Sequence, residues 1–90
     1  MIIPEVGSMW EITSLGIASP WFYEKQPDTK PYETTVLKGG SCFVIVDNEP
    51  KSFNGMTARY YRAISSIGAC WVYDCLFHPK NIHETLIRVK

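Results

Sequence analysis

Apolar and polar residues alternate near the two ends of this chain and run together in its middle, and both patterns are those of β-strands. From Ser8 to Leu15, Trp10 and Ile12 fall on one face and Met9, Glu11 and Thr13 on the other, which predicts a half-buried antiparallel strand. Glu84 to Val89 alternates again and predicts a closing strand. Between them, Cys42 to Val46 is a continuous apolar, partly β-branched run too short for a helix, as expected in the middle of a sheet. Gly39-Gly40 offers the positive φ of a tight turn into that run, and Asp47-Asn48-Glu49-Pro50 is expected to stop it.

The remaining segments fill in the order. Gly16 to Pro31 reads as a long irregular loop or a splayed hairpin, because Pro20, Pro27 and Pro31 bracket Trp21-Phe22-Tyr23 and four charged residues. Tyr32 to Leu37 is strand-like, and Lys51 to Met56, with Asn54-Gly55, is an exposed loop. Thr57 to Ser65 predicts a strand that turns at Ser66-Ile67-Gly68 into the aromatic strand Ala69 to Phe77. His78 to His83 has room for little more than one helical turn. The chain therefore reads as one domain, residues 1–90, of the all-β class: a small antiparallel barrel of five or six strands with one short helical turn. A barrel is preferred to a sandwich because so short a chain cannot easily leave two sheet edges exposed. Its expected core is Trp10, Ile12, Leu37, Phe43, Ile45, Ala63, Val72, Leu86 and Val89, with Tyr60 and Tyr61 facing opposite ways.

Composition narrows the functions. With 46% apolar and 20% charged residues the chain is not disordered, and nine basic against nine acidic residues leave no global field to attract a polyanion. Nucleic-acid binding would need a local patch. Three cysteines, an odd number, follow a start with no basic or apolar leader, so free thiols and a cytoplasmic location are expected. The apolar runs fall far short of the roughly 20 residues of a membrane helix.

Taken in this order, the chain resembles an SH3-like barrel. Leu37-Lys38-Gly39-Gly40-Ser41-Cys42-Phe43-Val44-Ile45-Val46 is similar to the diverging turn and second strand of that fold, and Tyr60-Tyr61-Arg62-Ala63 to its third strand. The resemblance implies that Tyr60 occupies the place of an exposed ligand-contacting aromatic and that Ala63 is core. Proline-peptide-binding members carry an Ala-Leu-Tyr-Asp-Tyr-type signature before the long loop and a proline followed by tyrosine before the last strand, and this chain has neither. Bacterial and phage proteins that share the barrel and bind proteins or nucleic acids are an equally fair comparison.

Each candidate chemistry has a plainer alternative. Cys70, Cys75, His78 and His83 are all zinc-ligand types, yet positions five apart on a strand face opposite ways and the spacing matches no usual zinc pattern. Buried thiols and loop histidines are the expectation, with no metal and no cofactor. A nucleophile and base could be built from Cys75 and His78, or from Cys42 and either histidine, but no third group orients them. Carboxylates could pair as Glu11 with Glu84 or Asp47 with Asp74, where solvated charges are the ordinary reading. The aromatics, 13% of the chain, are more informative. Trp21, Phe22 and Tyr23 on the long loop, with Tyr60 and Arg62, are expected to form a contact surface for another protein or for a second copy, since Trp, Tyr and Arg dominate interface hot spots. A nucleic-acid-binding barrel using Arg59-Tyr60-Tyr61-Arg62 near Lys51 and Arg88 is the alternative, and an enzyme using a Cys/His pair ranks third.

Overall fold

The computed structural model describes residues 2–13, 39–52, 59–66, 68–82 and 84–90, together with the backbone of 21–23 and 34–36. Its strands are β1 (Met9–Ile12), β2 (Trp21–Tyr23), β3 (Thr34–Val36), β4 (Cys42–Ser52), β5 (Arg59–Ser65), β6 (Gly68–Tyr73) and β7 (Leu86–Arg88), with a 3-10 turn at Asp74–Phe77. They form one sheet in the order β3-β2-β6-β5-β4-β1-β7, and every strand pairing in it is antiparallel. The all-β, antiparallel class expected from the alternation is the observed one. Five strands carry the core, and the short β2–β3 ladder extends the sheet beyond β6, with β3 in the stretch expected as a strand and β2 inside the segment Gly16 to Pro31, most of which lies outside the described residues.

One cluster gathers Trp10 and Ile12 of β1, Phe43 and Ile45 of β4, Tyr61 and Ala63 of β5, Cys70 and Val72 of β6, Phe77 of the 3-10 turn and Leu86 of β7. In a flat sheet β6 and β7, four strand positions apart, would be about 19 Å from each other. Their shared core requires the sheet to curl around it. Phe77 is the plug, its ring edge-on to Trp10 at 5.0 Å, Tyr61 at 5.7 Å and Phe43 at 6.3 Å. The amino-terminal arm is tied down by polar contacts: Ser8 Oγ donates to the Glu5 carbonyl and accepts from Trp10 Nε1 at 2.8 Å, and Asn48 Nδ2 donates to the Pro4 carbonyl at 3.0 Å.

Local chemistry explains most boundaries. Gly40 sits at φ +90°, where an L side chain is strained, and its N–H donates to the Ile12 carbonyl, so the turn into β4 is fastened to the end of β1. Gly68, at φ +101°, closes the β5–β6 hairpin.

Several expectations are corrected. β4 does not stop at Val46 but continues through Asp47-Asn48-Glu49-Pro50 to Ser52, because register shifts between Ile45 and Asp47 and between Asp47 and Lys51 accommodate residues that a regular ladder would reject. The helical turn begins at Asp74, earlier than expected, so β6 ends at Tyr73. Val89 is 46% exposed while Leu86 is buried: Val89 follows the end of β7, and an odd spacing of three residues in extended chain turns it away from the face that Leu86 buries. Tyr60 and Tyr61 are both buried, against the expectation that one would be exposed. Their alternation holds. Tyr61 enters the central cluster, whereas Tyr60 lies on the other face with its ring 4.8 Å from that of Tyr73. Leu37 lies outside the described residues.

Candidate functional site

The face of the sheet turned away from the core is organised by the β4–β5–β6 registers. Tyr60 stands opposite Tyr73, Arg62 opposite Trp71 and Ile64 opposite Ala69, so these six residues share one face by strand alternation. On β4, Lys51 pairs with Tyr60, Asp47 with Arg62 and Val44 with Ile64. At the far side of β6, β2 brings Tyr23 opposite Trp71 and Phe22 opposite Val72. Of the residues proposed from sequence as a contact surface, Trp21, Phe22 and Tyr23 thus form a strand two positions from Arg62 in the sheet order, with β6 between them. Arg62 is exposed.

Tyr60 does not join that surface as an exposed aromatic. It is 0% exposed, and its ring lies 4.8 Å from that of Tyr73. Trp71 is the residue the sequence reading missed. Its ring is the meeting point of two cations: the Arg62 guanidinium carbon lies 5.3 Å from the ring centroid and Lys51 Nζ 5.7 Å from it. Both are within cation–π range, worth about 0.5–1 kcal/mol each at exposed positions. Trp71 itself is only 5% exposed, so the indole acts as a base plate under the two charges.

The charge balance at this spot is uneven. Asp47 stands across β4 from Arg62, yet its Oδ1 accepts a hydrogen bond from the Glu49 N–H at 3.0 Å, turning the carboxylate onto its own strand. Among the described residues one ion pair forms, Arg88 with Glu5 at 3.2 Å, on the arm and β7, where the guanidinium holds the Glu5 carboxyl below its ordinary value through hydrogen bonding and charge. No family model, curated protein or solved structure matches this chain.

The three thiols occupy different surroundings. Cys70 is buried in the core with its Sγ 3.8 Å from Ser65 Oγ, and burial pushes its pKa up to about 11. Cys75, on the 3-10 turn, is exposed, with its thiol raised by desolvation and then by Asp74, and Cys42 is half-buried. All three are free. The backbone N–H of His78 donates to the Cys75 carbonyl at 3.1 Å while the ring Nδ1 accepts from the Lys80 N–H at 3.2 Å, so that ring nitrogen is engaged by backbone. His83 lies outside the described residues, and among the described residues no three His, Cys, Asp or Glu side chains converge on a metal-sized site. No helix of the described chain is long and apolar enough to cross a membrane.

Proposed function

We propose that this chain is a small non-catalytic protein-binding module, adaptor-like or inhibitor-like, built as an SH3-like barrel. The likeness rests on the strand order β7-β1-β4-β5-β6 and on a 3-10 turn that precedes the last strand. The docking face is the outer side of β5 and β6 together with β2, and the partner is another protein or a second copy of this chain. Three free cysteines suit a reducing compartment such as the cytoplasm.

The observation that carries the reading is the single row across three strands: Tyr23 opposite Trp71, and Trp71 opposite Arg62. Trp71 is buried beneath Arg62, so the exposed guanidinium is what this row presents to a partner, and arginine is enriched at interface centres. Nucleic-acid binding is less well supported, because Trp71 and Tyr60 are covered, leaving their faces closed to base stacking, and the formal charge is zero.

The test is capture from nuclease-treated cell lysate, comparing the native protein with a Trp21→Ala, Arg62→Ala double variant. A protein retained by the native chain and lost by the variant is the expected result. Equal recovery by both overturns the docking face, and a partner lost on nuclease treatment transfers the reading to nucleic acid.

A further inference from the structure

We infer that the Lys51–Trp71–Arg62 cluster recognises an acidic segment of a partner protein, an inference that rests on the docking face proposed above. Two like charges are drawn onto one indole ring, 5.7 and 5.3 Å from its centroid. Bringing cations together raises their mutual repulsion, which a bound carboxylate relieves. Among the described residues neither cation has an ion-pair partner: the ion pair lies at Arg88 and Glu5, and Asp47, opposite Arg62 in the register, keeps its charge but turns one carboxylate oxygen to the Glu49 N–H.

The geometry favours carboxylates over a nucleic-acid backbone. Two cations on one ring match one or two acidic side chains, whereas a nucleic acid would require a longer basic track and open aromatic faces for its bases. Trp71 is 5% exposed and therefore supports the cations rather than stacking a ligand. The guanidinium of Arg62 presents a planar fork suited to bidentate carboxylate binding, and Lys51 adds a mobile point charge beside it. The register shift between Asp47 and Lys51 is what delivers the lysine to this place, since it lets Lys51 pair with Tyr60, the next outward position after Arg62 along β5.

The experiment is a titration of isotope-labelled protein, followed by NMR, with an oligoglutamate peptide, an oligolysine peptide and a single-stranded oligothymidylate. Expected are shifts centred on Lys51, Arg62 and the Trp71 indole N–H with oligoglutamate, weakened by added salt and absent with oligolysine. A Lys51→Ala, Arg62→Ala variant should bind about fivefold more weakly or worse, as the loss of two exposed charge contacts implies. Shifts that map elsewhere, affinity unchanged in that variant, or tighter binding of the oligothymidylate would each overturn acid recognition. A protein captured through Trp21 but retained undiminished by the Lys51→Ala, Arg62→Ala variant would also overturn it, while leaving the docking face standing.

Discussion

Phe77 holds the curled sheet closed, and replacing it measures how much of the fold depends on the 3-10 turn. The ring is fully buried and meets Trp10, Tyr61 and Phe43 from three different strands. Truncating a buried phenylalanine to alanine costs about 3–5 kcal/mol in lost transfer energy and residual cavity. A chain of this length has a total stability of about 5–13 kcal/mol, so Phe77→Ala removes about a quarter of it or more. Phe77→Leu keeps most of the volume and forfeits chiefly the edge-on ring contacts, for a loss of about 1–2 kcal/mol. In urea, followed by tryptophan fluorescence and far-ultraviolet circular dichroism together, a slope of about 1.2 kcal/mol per molar turns a loss of about 4 kcal/mol into a midpoint about 3 M lower. Ile64→Ala is the control, since Ile64 is 51% exposed on the opposite face. A loss below about 1.5 kcal/mol for Phe77→Ala, at an unchanged slope, would refute the plug.

Two further outcomes follow from burial. Tyr60→Ala is expected to destabilise the fold by about 2–4 kcal/mol, as a core residue does, whereas Arg62→Ala should change stability by less than about 1 kcal/mol; chemical denaturation of both checks the reassignment of Tyr60. At about pH 8 a thiol reagent should modify Cys75 in the native protein and reach Cys70 only on unfolding. Because the folded pKa of Cys70, about 11, lies above its ordinary 9.0, the native state keeps a proton that the unfolded chain releases between them. Its contribution to stability is therefore whole below pH 9.0 and is lost as pH rises toward about 11, a decline that Cys70→Ala should flatten in denaturation midpoints measured across that interval.

The features legible in the sequence are those set by neighbours along the chain. Period-two alternation placed Trp10 and Ile12 on one side of β1, and Phe43 and Ile45 on one side of β4, both in the core as expected. Gly40 and Gly68 marked turns because few other residues tolerate their φ. The extension of β4 was hidden, since Asp47-Asn48-Glu49-Pro50 carries the composition of a strand end and only pairing with β5 keeps it in the sheet. Tyr60 was misread for a related reason. Alternation tells which face a residue takes, but whether that face is open depends on what folds over it. The meeting of Lys51, Arg62 and Trp71 draws on three strands and a register shift, so no local pattern announces it.

The proposal that the outer face of β5 and β6 docks a protein is tested most directly by photo-crosslinking inside cells. A photoreactive amino acid is placed at Ile64, which is exposed on that face and leaves Lys51, Arg62 and Trp71 intact, and in a second variant at Lys80, exposed beyond the 3-10 turn. A discrete protein adduct from position 64, absent from position 80 and lost when Arg62→Ala is added, is the predicted result. Adducts from position 80 with none from 64, or adducts at 64 made of nucleic acid, would contradict it.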